Sequence, residues 1–302
     1  MKEARDKCCC PTFIIAGGGP YLAILGAIFR EHFVVQRLTG LEWLGMGRVF
    51  EDDHLYRIAQ IFHSLRGALR SLDTFYDELK QKDLELVRGQ PHARFYPCYT
   101  TFTDHKTKHP VEFEYLRPLT RSQKSPFLVK LKSSGETAVV KFVARYGAEA
   151  HQFLAEAGLA PRLHFCGSID GRDDVRNSPR EATKGPFGLY LGPLQMVVMD
   201  LVEGTNAEAV DNYLGDAREQ LKAIIDKLHE SGHVFGDLRP PNVMFSESRV
   251  VLIDFDWAGK CGEAFYPTEV GECITQHCDA RDLGVIEKEH DLALLNHYFP
   301  LT

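Results

Sequence analysis

Between His233 and Asp256 the chain reads HVFGDLRPPNVMFSESRVVLIDFD, and this stretch constrains what it can fold into more than any other. Val250 to Ile253 is an apolar, β-branched run that reads as a buried strand, and Val243 to Phe245 is its hairpin partner across a short polar turn. That hairpin spaces three polar side chains of particular kinds. Asp237 is followed five positions later by Asn242 and seventeen positions later by Asp254. Phosphoryl transfer from a nucleotide requires a carboxylate that orients the attacking hydroxyl, and an Asn and an Asp whose oxygens hold Mg²⁺ against the phosphates. Those residue types are present here, with Asp254 at the end of the strand.

In these residues the chain resembles the protein-kinase-like superfamily, whose catalytic loop has the form H-R-D-L-x-x-x-N and whose metal loop begins D-F-G. The corresponding segments read F-G-D-L-R-P-P-N and D-F-D. Gly236 stands where regulated protein kinases carry the Arg that reads a phosphorylated activation loop, so switching by that route is not expected. Asp256 replaces the last Gly of the metal motif, which disfavours an inward-outward flip of that loop. Neither departure removes a group that the chemistry requires.

The resemblance extends upstream in chain order. Thr137 to Val143 reads TAVVKFV, similar to the V-A-I-K strand, and puts Lys141 inside a β-branched strand. Glu149 follows in YGAEAHQFLAEAG, where Ala150, Phe153, Leu154 and Ala157 have helical spacing and Gly158 is a stop. Met196 to Gly204, MVVMDLVEG, is similar to the strand that runs into a kinase hinge. The resemblance then implies a nucleotide site. Lys141, paired with Glu149, contacts the α- and β-phosphates of ATP. Met199 is the gatekeeper, with the Asp200 carbonyl and the Val202 amide facing adenine. Asn242 and Asp254 hold Mg²⁺, Asp237 is the catalytic carboxylate, and Arg239 neutralises charge on the transferred phosphoryl. A lone strand lysine is ordinarily a solvated edge residue. The ordered set, each member in its expected secondary structure, is what specifies the site.

The implied fold class is α+β: a two-lobed protein-kinase-like fold with a truncated carboxy-terminal lobe, preceded by an α/β leader. The leader covers 1–95 and the kinase-like domain 96–302, with its amino lobe at about 111–199, hinge at 200–204 and carboxy lobe at 205–302. In the leader, Thr12 to Ala16, Tyr21 to Phe29 and Phe33 to Leu38 read as strands. The GGGP between the first two reads as a hairpin turn, because no G-K-[ST] follows as a phosphate loop requires. Glu51 to Lys82 is a helical pattern with Leu55, Ile58, Phe62, Leu65, Leu69, Leu72, Phe75 and Leu79 on one face, which must be covered. Val111 to Leu116 and Phe127 to Leu131 are the first two strands of the second region. The connection between them occupies the place of the glycine-rich loop without a glycine, leaving Ser122, Lys124 and Ser125 to contact phosphate. Asp170 to Gly188 is a polar insertion, Asp216 to Gly232 an amphipathic helix, and Glu289 to Phe299 a final helix whose Asp291 is expected to hydrogen-bond the catalytic-loop backbone. With no A-P-E segment after Asp256, the helices that frame a peptide groove have no room.

Net charge is −7, which argues against a broad nucleic-acid or membrane surface. The MKEARDKCCCP start is charged, and the apolar stretch after it is broken by glycines and Pro20, so neither a signal peptide nor a spanning helix is read there. A soluble intracellular protein of cytoplasm or nucleus is expected. The eight cysteines are unevenly spaced and read as reduced thiols, with Cys8, Cys9 and Cys10 exposed; Cys273, His277 and Cys278 lack the further ligands a zinc site needs. The leader, EDDHLYR, VVKFVARYGAEAH and GDLRPPN together are similar to fungal kinase-like proteins related to the kinase-type domains of crinkler effectors. Some relatives carry nuclease-like leaders, but residues 1–90 hold no ordered acidic and lysine set for metal-dependent DNA cleavage.

The expected function is ATP- and Mg²⁺-dependent phosphoryl transfer to a protein Ser/Thr hydroxyl. A small-molecule acceptor is one alternative. A pseudokinase that binds nucleotide or a partner without turnover is another, favoured by the missing glycine-rich loop.

Overall fold

Two β-rich stretches, each followed by helix, give the chain its two units, Met1–Cys98 and Tyr99–Thr302. The structure is a computed structural model that describes residues 7–29, 33–45, 52–81, 96–120, 126–169, 194–210, 216–246, 249–267 and 270–300.

In the first unit β1 (Thr12–Gly18) and β2 (Tyr21–Phe29) form an antiparallel hairpin whose last pair is Gly18 with Tyr21. Gly19 has φ +57°, a left-handed value that glycine adopts at no steric cost, so GGGP is a turn. β3 (Phe33–Arg37) and β4 (Glu42–Trp43) both pair with β2. Helix α1 (Asp52–Gln81) follows, its two ends as expected from the sequence, Glu51 and Lys82, lying outside the described residues. Its apolar face is only partly covered: Leu65 and Leu79 are buried, whereas Leu55, Phe62, Leu69 and Phe75 are exposed. The Tyr76 hydroxyl donates to the Pro11 carbonyl at 2.8 Å, and Arg57 pairs with Glu42 at 3.0 Å. Contrary to expectation Cys8 is buried, and burial pushes its thiol up to about 11. All eight cysteines are free thiols.

The second unit opens with six antiparallel strands in the order β5 (Thr101–Thr103), β6 (Pro110–Pro118), β7 (Phe127–Leu131), β8 (Thr137–Val143), β10 (Gln195–Asp200), β9 (Leu163–Ser168). Helix α2 (Ala148–Glu156) connects β8 to β9. The expected insertion at Asp170 to Gly188 lies outside the described residues, as do Ser122, Lys124 and Ser125. The chain continues through β11 (Thr205–Asn206), α3 (Ala217–Glu230), β12 (His233–Val234), β13 (Val243–Ser246), β14 (Arg249–Leu252) and β15 (Gly259–Lys260). It ends with the single turn α4 (Glu272–Thr275) and with α5 (Lys288–Tyr298). β13 pairs with both β11 and β14, and β12 pairs with β15.

The amphipathic spacing of α3 buries Leu221, Ile224, Ile225 and Leu228 against Val243, Leu252, Phe235, Leu238 and the α5 residues Leu294 and Leu295. This core sits directly under the loop that joins β12 to β13 and under the end of β14. No helix among the described residues is long and apolar enough to cross a membrane.

Candidate active site

The β12–β13 loop is held from below by one carboxylate. Asp291, at the first turn of α5 and fully buried, accepts from the Phe235 amide at 2.8 Å and the Gly236 amide at 2.7 Å. The His229 ring nitrogen Nε2 lies 2.9 Å from the same side chain. Hydrogen bonds to a buried carboxylate are charge-assisted and directional, so they fix the path of the loop. The expected backbone contact of Asp291 is therefore present, and His229 is a partner that sequence spacing did not indicate. Gly236 has φ +79°, and a Cβ there would lie 2.8 Å from the Ile286 side chain. That is why glycine, and not arginine, occupies this position.

Past Gly236 the loop turns Asp237 inward. Asn242 Nδ2 donates to the Asp237 carbonyl at 2.8 Å and to its carboxylate at 2.9 Å, which leaves Asn242 Oδ1 as an uncommitted acceptor among the described residues. Arg239 grips the same carboxylate with two nitrogens, Nη2 at 2.7 Å and Nε. Burial raises the Asp237 carboxyl above its ordinary value, outweighing the pull of Arg239. The guanidinium is in turn raised, first by its hydrogen bond to Asp237.

Lys141 reaches this region from β8, where it is paired with Val197 of β10 and its side chain is only 9% exposed. Its ammonium lies 2.6 Å from Asp254 Oδ1, forms a second ion pair with Asp256, and stands 4.7 Å from the centre of the Tyr146 ring. Burial alone would lower the Lys141 amine; the two carboxylates reverse this and raise it. Asp254 has φ +65°, an uncommon value for a residue with a side chain, which occurs where a loop is tightly constrained. Its carboxyl, though raised by burial, is lowered overall by Lys141, while burial pushes Asp256 up to about 7.

The expected pairing of Lys141 with Glu149 is not what forms. The Gly147 amide donates to the Phe255 carbonyl at 2.9 Å, so α2 begins tight against the D-F-D segment. Ala150, His151 and Leu154 take the buried face, and Glu149 is turned to the flank. Its carboxylate, 70% exposed, is 3.5 Å from Lys260 Nζ and 3.7 Å from His233 Nε2. The Gly147–Phe255 hydrogen bond sets the start of the helix with Glu149 beside Lys260 and His233 instead of the lysine.

Met199 is buried in β10 opposite Val139. The Asp200 side chain accepts from His164 Nε2 at 2.6 Å, and its amide donates to the Arg162 carbonyl at 3.0 Å. His164 Nδ1 lies 3.1 Å from the buried Asp104, whose carboxyl is raised by burial but drawn down to about 2 by hydrogen bonds from Thr107, His164 and Lys106. Val202 is half-buried in the extended segment after β10. Neither Asp104 nor His164 carries a signal in the sequence, because their pairing joins strands from opposite ends of the sheet.

Asn242 and Asp254 both bear hard oxygen donors and stand on neighbouring backbone, since the Ile253 amide donates to the Asn242 carbonyl at 2.9 Å. Such a pair suits Mg²⁺, which keeps most of its coordination for water and phosphate. Among the described residues no cluster of three or more His, Cys, Asp or Glu could hold a metal, around Cys273 and His277 or elsewhere. Sequence reasoning missed Asp256 as a lysine partner, although an Asp two residues beyond the expected metal ligand was a readable signal. It also missed His151, buried and stacked on Phe255 at 4.5 Å.

No family model matches the chain. No curated protein matches it. Among solved structures it is similar to that of the Cydia pomonella granulovirus kinase PK-1, at 13% identity over 62% of this chain and 68% of that one, with a TM-score of 0.43.

Proposed function

We propose that the chain is a phosphotransferase of the protein-kinase-like type, which uses ATP and Mg²⁺ to phosphorylate a hydroxyl, foremost that of a protein Ser or Thr. The observation that carries this is the convergence of Lys141, Asp237, Asn242 and Asp254, from three separate segments, into one network of ion pairs and hydrogen bonds. The likeness to fungal crinkler-type proteins rests on sequence motifs alone.

Asn242 Oδ1 and the Asp254 carboxylate would hold Mg²⁺, which when bound supplies charge neutralisation across the phosphates. Lys141 brings an ammonium that stays protonated and balances phosphate charge. Asp237 accepts or orients the proton of the attacking hydroxyl, a task helped by the upward shift that burial imposes on it. Arg239 holds Asp237 in place and offers positive charge beside the transferred group. Met199, the Asp200 carbonyl and the Val202 amide form the adenine side.

The test is a Mg²⁺-dependent assay with γ-labelled ATP, with and without protein and metabolite acceptors. Asp254→Ala is expected to abolish transfer with far-UV circular dichroism unchanged, and Asp237→Ala to slow it by about 10²- to 10⁴-fold. Undiminished turnover in Asp254→Ala overturns the assignment. A second reading, nucleotide binding without turnover, is favoured by the engagement of Lys141 by two carboxylates and of Asp237 by Arg239. ATP binding with no label transfer to any acceptor supports that reading.

A further inference from the structure

We propose that Asp256, and not Glu149, is the residue that positions Lys141 for the nucleotide; this rests on the phosphotransferase reading above. A lysine with so little exposed surface needs an anionic partner, because an unpaired buried charge is strongly disfavoured. Two carboxylates meet it, Asp254 and Asp256. Asp254 is the one that the proposed metal requires, and a divalent cation on that carboxylate would draw its charge away from the ammonium. Asp256 is the anion that stays with Lys141 when Asp254 turns to the metal.

The main chain around Asp256 is held for this role. Arg145 Nε donates to the Asp256 carbonyl at 3.3 Å. The intervening Phe255 ring is fully buried, stacked on His151 and edge-on to Phe235 at 5.3 Å, so the two carboxylates flanking it are presented together. Glu149 has no comparable access. It is engaged by Lys260 and His233, and the start of its helix is wedged against the same loop: a Cβ on Gly147 would fall 2.4 Å from the Ala258 carbonyl. A rotation of α2 that carried Glu149 to Lys141 would break the Gly147–Phe255 hydrogen bond. Lysine anchoring and metal binding therefore both come from one tripeptide, Asp254-Phe255-Asp256, which the start of α2 braces through the Gly147 amide and the His151 ring without bringing Glu149 to the lysine.

The experiment uses the full chain and compares Asp256→Asn, Asp256→Glu and Glu149→Gln. ATP affinity by calorimetry and KM against kcat are read in each. Asp256→Asn is expected to weaken ATP binding and raise KM for ATP at least tenfold, Asp256→Glu to recover part of that loss, and Glu149→Gln to stay within twofold of the parent. A tenfold loss in Glu149→Gln, or an unchanged Asp256→Asn, overturns the proposal. A second readout needs no activity: double-mutant cycles on the urea midpoint, pairing Lys141→Met with Asp256→Asn and with Glu149→Gln. Non-additivity in the first cycle alone supports the assignment, and additivity in the first overturns it. A parent chain that binds no ATP, with that coupling still present, would remove the phosphotransferase reading and leave the Lys141–Asp256 pair standing.

Discussion

Asp291 shows what a single carboxylate does when it has no access to water. Its two oxygens satisfy two backbone amides and a histidine, so replacing it by Ala strands all three donors in the core. An unsatisfied buried donor costs about 1–3 kcal/mol, and Asp291→Ala is expected to destabilise the chain by about 3 kcal/mol or more in urea unfolding, with Asp291→Asn losing less. A loss below about 1 kcal/mol would mean that the loop is held by something else. His151 supplies a pH dependence. Burial lowers its pKa to about 4, opposed by the Pro161 carbonyl and reinforced by the Lys141 charge. The unfolded chain binds this proton more readily than the folded one, so stability is complete above the ordinary histidine value of 6.5 and is lost as pH falls from there to about 4. The contribution is about 3 kcal/mol. Unfolding midpoints of the parent should fall over that interval more steeply than those of His151→Phe, which keeps the ring stacked on Phe255 but cannot be protonated; parallel slopes would exclude the assignment.

At the scale of elements, the β13–β14 hairpin was legible because two apolar runs of strand length flank a polar turn, and the pairs Val243–Leu252 and Phe245–Val250 form as that pattern requires. Thr137–Val143 and Phe127–Leu131 were legible for the same reason, each matching the observed strand. The orientation of α2 was not. Helical spacing fixes which residues share a face, but the direction of that face depended on the Gly147–Phe255 hydrogen bond, a contact between residues far apart in sequence. Through that one contact Glu149 was misplaced, and the pairing of Asp256 with Lys141 went unread. The hairpin also carries a prediction of its own. Leu252 is completely buried at the end of β14, two residues before Asp254. Leu252→Ala is expected to lower stability by about 2–5 kcal/mol. The same change should weaken Mg²⁺-dependent ATP binding, because the strand end that carries Asp254 loses its packing. Calorimetry at a temperature where the variant remains folded checks this, and unaltered binding would separate strand packing from the proposed metal site.

Across the whole molecule, buried apolar side chains are unevenly shared between the units. One continuous cluster runs from Tyr146 to Phe299 in the second unit, drawing on α2, α3, α5 and the β13–β14 hairpin. The first unit buries Cys8, Ala23, Ile24, Ala27, Leu65 and Leu79 among its described residues, three of them small side chains, and leaves Ile15, Phe33 and Tyr56 largely in water. Hydrophobic stabilisation scales with apolar area removed from water, so cooperative unfolding should be a property of the second unit. Residues 99–302 expressed alone are expected to unfold in one transition, with a Tm within about 4 °C of the main transition of the full chain, equivalent to about 1 kcal/mol at this size. They should also keep the ATP affinity of the parent, since Lys141, Asp237, Asn242, Asp254 and Asp256 all belong to that unit. Residues 1–98 alone should show a broad, weakly cooperative melt. Scanning calorimetry of the two fragments beside the full chain decides the matter: loss of the sharp transition from 99–302 would mean that its core depends on the first unit, and a sharp transition in 1–98 would mean that the sheet and α1 stabilise one another by more than their buried side chains account for.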